Sequence, residues 1–455
     1  FTTLHAYEYT LAENASNLHR NVFFRSSTVP QEALSAKDAR TPEALWGWLK
    51  KVCIDGHEKC DVLAVPHNSN WSSGRMWHPY SNLDLPIDQQ QRLAALRAQL
   101  EPLAEIMQVK GDSECRNGLG SVLGAPDEYC DFEKLRSPTE NIEDCDEDIG
   151  SGGMMLKGCL SRYSYVRYAL TAGLKEEQRL GINPFKMGIV AASDTHNGTP
   201  SVGLEKGHPG SHGTDREVKH RLLGTVKVPG NIATGSPVRY NPGGIAGVYA
   251  QQNTRAAIFD AMRNRETFGT SGPRITPRFF AGWNLAEDLC ASEDYLEQAY
   301  AHGVPMGSDL LAKQDSDRGP LFFASAHRDP RDQGNLLQRI QIIKGWVDRD
   351  GRTHQAVYDV AGGDNGASVD PNTCSVSGQG HAQLCASWRD PDFDPAMSAV
   401  YYARVLENPS CRWSHHDCLS LPENERPQSC YDPELPWKIQ ERAWTSPIWY
   451  SPKEV

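Results

Sequence analysis

No run in this sequence approaches the roughly 18 to 20 apolar residues needed to span a bilayer, so no membrane span is expected. Basic excess is also lacking. Lys and Arg number 46 against 58 Asp and Glu, and the net charge is -12. Nucleic acid binding needs a basic face, so nucleic acid is excluded as a partner. A small anionic substrate is not, because local arginines or a metal can hold it. No Cys-x-x-Cys occurs, which argues against a zinc ribbon or a thioredoxin-like motif. The Gly-x-Ser-x-Gly elbow, the Walker loop and the dinucleotide fingerprint are missing too. What remains is a globular chain of 455 residues, long enough for one large domain and a smaller one.

Twelve cysteines are present, at 53, 60, 115, 130, 145, 159, 290, 374, 385, 411, 418 and 430. The number is even, and several are close in sequence, such as Cys53/Cys60, Cys374/Cys385 and Cys411/Cys418. Disulfides persist in oxidising compartments, so a periplasmic or secreted protein with several bridges is expected. The chain opens on Phe1 and shows no signal peptide. For an exported protein, that means either a removed leader or a fragment of a longer chain.

Apolar periodicity predicts a strand ending near Glu8 and a helix over 39–53. Asp61 to His67 reads as a buried strand ending at a histidine. Residues 86–108 read as a helix, with Leu93, Leu96, Leu100 and Leu103 on one face. Gly111 to Gly153 is acidic, Gly-rich and Cys-bearing, and reads as a long disulfide-pinned insertion. A helix follows over Tyr163 to Leu180, and a buried strand over Lys186 to Ser193 runs into Asp194. Residues 202–240 read as loop and Asn253 to Arg265 as helix. After Pro273, short apolar runs between turns suggest a β-sandwich-like module. The predicted organisation is an α/β barrel-like region over 1–272, with an insertion at about 80–160 and a loop at about 200–240, followed by a β-rich region over 273–455.

In α/β barrels, functional residues gather at the carboxyl ends of strands. Glu8, His67, Asp194 and His196 all occupy that kind of position. Asp194-x-His196 can converge on one cation where the chain turns. Mixed His and carboxylate sets suit zinc, manganese or iron. The bland alternative is a helix cap. His67 ends an apolar strand where packing has no need of histidine, and a buried Glu8 would require a partner. His19 precedes another strand-like run and reads equally well as a surface turn. Asn68, Asn70, Asn197 and Thr199 flank these positions and can bind substrate or simply form turns. Glu205, His208 and His212 lie in a Gly-rich loop that can act as a lid. Arg75 and Arg274 can hold an anion or sit in surface salt bridges. His415-His416 has the look of a metal pair, but cysteines flank it and point to a surface loop.

Four segments carry a resemblance: Tyr7-Glu8-Tyr9-Thr10, Asn17-Leu18-His19-Arg20, Pro66-His67-Asn68-Ser69-Asn70, and Ser193-Asp194-Thr195-His196-Asn197-Gly198-Thr199-Pro200. They resemble the metal-binding motifs of the PHP (polymerase and histidinol phosphatase) superfamily and, more narrowly, the domain-of-unknown-function family 3604. The likeness extends through Asn253-Thr254-Arg255, Gly272-Pro273-Arg274 and the tail Gln440 to Tyr450. It implies a distorted (β/α)7 barrel with insertions, a smaller β-rich C-terminal region, export, and two or three divalent metal ions (Zn, Mn or Fe). It implies that Glu8 bridges two metals and that His19, His67, Asp194 and His196 are ligands. PHP proteins begin with a strand carrying His-x-His. No such strand occurs here, and the resemblance would place it before Phe1.

The function expected is an exported metal-dependent hydrolase. Metal-activated water would attack an ester, phosphoester, amide or carbamate bond of a small-molecule substrate. His67 or His196 would carry the proton. Asn68, Asn70, Asn197, His208, His212 and Arg274 would line the substrate. Two alternatives stay open: a non-catalytic exported binding or structural protein with a structural metal, and a multisubunit surface assembly built on a retired hydrolase fold. A homo-oligomer is compatible with each reading.

Overall fold

The computed structural model describes residues 1–137, 140–198, 203–212, 216–224, 227–228, 232–233, 237–313, 318–332 and 334–452. Its first sheet is antiparallel throughout. Strand β1 (His5–Tyr9) pairs with β2 (Arg20–Phe24), and β2 pairs with β3 (Val62–Pro66). Alternate residues of β2 are buried, as expected of a strand with two unlike faces. All five residues of β3 are buried. Between them lies helix α1 (Pro42–Leu49), capped by the Thr41 side chain and continued by a π-turn to Ile54.

Helix α2 (Ile87–Leu100) is shorter than the periodicity predicts. Pro102 stops it, because proline has no N–H to donate and disfavours helix before it. The apolar residues beyond it form strand β4 (Leu103–Gln108), buried along its whole length. The insertion that follows is pinned by Cys115–Cys130 and Cys145–Cys159. Helix α3 (Val166–Leu180) then leads to β5 (Gly188–Ala191), which lies parallel to β4.

Most of the remaining strands build two larger sheets. One has eight strands. It includes β6 (Ile245–Val248) and β7 (Thr267–Thr270) on one side of residue 272, and Leu337–Val347, Thr353–Gly362, Ala399–Glu407 and Arg442–Thr445 on the other. The second has four strands, with Thr276–Gly282 and Leu321–His327 at its centre. Ser446 joins the tail to the N-terminal half: its Oγ accepts from Ile189 N–H at 2.8 Å and donates to Thr267 O at 2.7 Å.

The expected (β/α)7 barrel is therefore corrected. The described residues hold seven helices and several separate sheets, with no closed barrel, and the chain is β-rich. Closure of a (β/α) barrel needs successive parallel strands joined by helical crossovers. Here β1, β2 and β3 alternate in direction. Among the described strands only two pairs run parallel: β4 with β5, and Asp309–Leu311 with Ile448–Ser451. The β-rich character expected after residue 273 is present. Among the described residues no helix is long and apolar enough to cross a membrane. All twelve cysteines form disulfides, as is usual in oxidising compartments and consistent with an extracellular location.

Candidate metal centre

The antiparallel first sheet explains why three distant residues meet. Glu8 lies near the end of β1, opposite Asn21. His19 directly precedes β2, so the β1–β2 pairing brings it beside Glu8. His67 directly follows β3, and its N–H donates to His19 O at 3.3 Å. Arg20, next to His19, is buried and holds this corner in place. Its Nε reaches Glu101 Oε1 at 2.9 Å, and its NH1 donates to Leu18 O.

One ligand atom from each of Glu8, His19 and His67 lies within 4.8 Å of the others. His19 Nδ1 is 2.9 Å from Glu8 Oε1, and His67 Nε2 is 3.6 Å from the same oxygen, beyond good hydrogen-bond geometry. His19 Nε2 and both ring nitrogens of His67 are buried without a hydrogen-bond partner. An unmet buried polar group costs about 1–3 kcal/mol, so a fully buried His67 is expensive unless something else engages it. The His19 hydrogen bond, and next the His67 imidazole, hold the Glu8 carboxyl far below the usual carboxylate range. It is ionised and able to coordinate at any physiological pH. Two imidazoles and a carboxylate suit zinc, manganese or iron.

Asp194 sits beside this trio, at the end of β5, in the left-handed region with φ 51°. Such a conformation costs a non-glycine residue roughly 1–2 kcal/mol and is concentrated at functional sites. Asp194 Oδ2 accepts from Gln108 Nε2 at 2.9 Å and from Lys110 Nζ. Burial pushes the Asp194 carboxyl up, but the Lys110 charge and hydrogen bond outweigh it and leave it below its usual value. His196 Nδ1 lies 2.8 Å from the Asp194 carbonyl oxygen. Since a carbonyl only accepts, Nδ1 carries the proton in this arrangement and Nε2 is the basic nitrogen.

Glu105, Gln108 and Lys110 are site residues absent from the sequence reading: the helix predicted over 86–108 takes in Glu105 and Gln108, and Lys110 lies just beyond it. Pro102 followed by Leu103-Ala104-x-Ile106-Met107 was the signal for a strand ending in a polar group. Glu105 is fully buried, and its Oε1 accepts from Asn68 N–H at 3.1 Å. Burial, and then the nearby Asp194, push its carboxyl well above the ordinary range.

The other expected site residues divide into those near this centre and those elsewhere. Asn68 is buried in the left-handed region, and its side-chain Oδ1 has no partner. Asn70 Nδ2 donates to Lys110 O at 3.0 Å and braces that turn. Asn197 Nδ2 donates to Gly210 O at 2.7 Å, tying the D-x-H segment to the loop that carries His208 and His212. His212 stacks on His196 with centroids 5.0 Å apart and also meets Tyr240. His208 is buried against Trp413. Glu205 accepts from the Trp413 N–H. Arg274 is exposed, with its backbone N–H on Asp329 Oδ2 at 2.7 Å. Arg75 donates to Gly150 O. Thr199 lies outside the described residues. His416 lies near Cys374 and Cys411, but those sulfurs are joined in a disulfide and offer no thiolate.

A search of curated proteins and a search of solved structures each found no match. The family described as "Protein of unknown function (DUF3604)" matches residues 1–452. With almost the whole chain matched, this protein belongs to the DUF3604 family.

Proposed function

We propose that this protein is an exported metal-dependent hydrolase acting on an ester, phosphoester, amide or carbamate bond. The observation that carries the proposal is the convergence of Glu8, His19 and His67, with buried imidazole nitrogens that make no hydrogen bond. A divalent ion bound there would acidify a bound water and polarise the scissile group. The likeness of the four short segments to PHP ligand motifs supports this chemistry and carries no barrel with it.

The chain's own residues then have separable tasks. Glu8, His19 and His67 bind the ion. The Asp194 carbonyl orients His196 through Nδ1, which leaves Nε2 as the atom that accepts and returns a proton. The His212 and Tyr240 rings form a wall beside His196 against which a small substrate can lie. A structural ion would need every coordination position filled by protein. The Glu8 side chain is about one-third exposed, so one side of the trio faces solvent, and this favours hydrolysis over a staple. The six disulfides support a periplasmic or secreted setting.

The test pairs metal analysis with a panel of chromogenic phosphoesters and carboxylic esters. Glu8→Gln and His67→Ala should each lose bound metal and turnover together. Full metal content and full turnover in either variant would sink the assignment.

A further inference from the structure

We propose that Lys110 supplies, from within the chain, the positive charge that a second divalent ion would otherwise carry, so that the centre takes one ion, at Glu8, His19 and His67, and none at Asp194. The inference rests on the metal-assisted reading above and adds the number and place of the ions.

The two halves of the site differ in what already engages their ligands. At Asp194, a single carboxylate oxygen receives both the Lys110 ammonium and the Gln108 amide. Around Glu8, among the described residues, no lysine or arginine forms an ion pair. The two imidazoles there keep buried nitrogens without a hydrogen-bond partner. One half is satisfied by a cation of the chain, and the other is not.

Lys110 is also held where it stands. It occupies the tight turn after β4, and its side chain is 10% exposed. Its backbone N–H donates to Gln108 Oε1 at 2.8 Å, and its carbonyl accepts from Asn70 Nδ2. Gly111, the next residue, has φ 95°, and a Cβ there would lie 2.2 Å from Glu133 O. The turn therefore requires glycine and cannot easily shift. The same ammonium acts on three ligand-type groups at once. It counters burial at Glu105, pairs with Asp194, and adds positive charge beside His196. A second dication brought to Asp194 and His196 would meet this like charge at close range, and only the Lys110 side of that place is well shielded from water.

The experiment is ion stoichiometry on the intact, disulfide-bonded protein, with Mn²⁺ and Zn²⁺ each used alone as probe. It is read by elemental analysis after gel filtration and by calorimetric titration. The wild type should bind one ion per chain, and Glu8→Gln should bind none. Asp194→Asn should still bind one, because Asp194 holds the lysine and not the ion. Lys110→Arg keeps the charge and should stay at one. Lys110→Met should admit a second ion, which the double variant Lys110→Met/Asp194→Asn loses again.

Two ions on the wild type, one of them lost in Asp194→Asn, would overturn this inference and leave the hydrolase reading intact. So would loss of the only ion in Asp194→Asn. A wild type that binds no ion overturns both. One ion with the predicted dependence on Glu8, but no turnover on any substrate class, overturns the hydrolase reading and leaves this inference standing. Should Lys110→Met not fold, the Asp194→Asn and Lys110→Arg results decide the matter.

Discussion

Replacing Glu114 by alanine should cost about 3–5 kcal/mol of stability, the range for breaking a buried ion pair. Glu114 is 1% exposed and lies between Arg167 of α3 and Arg404 of the Ala399–Glu407 strand. Its Oε2 accepts from Arg404 NH1 at 3.1 Å and from Trp444 Nε1 at 2.7 Å. Its Oε1 accepts from Tyr402 OH at 2.6 Å and from Arg167. Asp127 shares both guanidiniums, with Arg167 at 2.7 Å and Arg404 at 2.9 Å. Burial alone would raise the Glu114 carboxyl. The charges of Arg404 and Arg167 outweigh it and bring it from 4.5 down to about 2. A carboxyl held down in this way is stabilised by its partners when ionised, which is the sign expected of a pair whose loss is costly. Alanine would leave two buried guanidiniums on one carboxylate, and would strip the Trp444 N–H and Tyr402 O–H of their acceptor.

The sign of the pH dependence follows. A carboxyl depressed in the folded state contributes stability above its unfolded value, and that contribution is lost as pH falls through the folded one. The gap between wild type and Glu114→Ala should therefore be full at pH 7 and shrink from about pH 4.5 towards pH 2. Urea unfolding followed by tryptophan fluorescence, with disulfides intact, measures it. A gap below about 1 kcal/mol at pH 7, or one that does not narrow on acidification, would refute the account.

Other consequences can be checked separately. Burial raises the Glu441 carboxyl to about 8, with Glu407 and Glu133 adding negative charge nearby. Between the unfolded value near 4.5 and this folded one, only the unfolded state releases the proton, so stability should fall as pH rises across that window. Glu441→Gln should flatten this slope in urea titrations from pH 5 to 9, and an unchanged slope counts against the assignment. Cys290–Cys385 spans 95 residues of sequence, whereas Cys53–Cys60 spans 7. On loop-closure entropy, removing the first by a double alanine substitution should cost about 4–5 kcal/mol and the second about 2–3 kcal/mol. Calorimetric melting of the two variants ranks them, and the reverse order would show that strain or residual structure dominates.

Much of the candidate site was legible in the sequence. Glu8, His19 and His67 were recognisable because each is a polar ligand type set against a short apolar run. That pattern is local, since strand ends are marked by where hydrophobic residues stop. The even cysteine count and the absence of Cys-x-x-Cys pointed to disulfides for similarly local reasons. Partners were another matter. Cys374 joins Cys411 and Cys290 joins Cys385, although Cys374 and Cys385 are nearer neighbours along the chain.

Only the tertiary structure decided strand direction. The same apolar runs satisfy a parallel barrel or an antiparallel sheet, and backbone hydrogen bonds between distant segments choose between them. The pairings of β1 with β2 and of β2 with β3 ruled out the barrel, and in doing so set His19 beside Glu8 and His67. Glu105, Gln108 and Lys110 entered the site for the same kind of reason. The helical spacing of Leu93, Leu96 and Leu100 is real, but Pro102 ends that helix, and the parallel pairing of β4 with β5 brings Glu105, Gln108 and Lys110 to Asp194. The Glu114 network joins residues up to 330 positions apart. No spacing along a chain encodes such a meeting, because desolvated charges find partners by proximity in space.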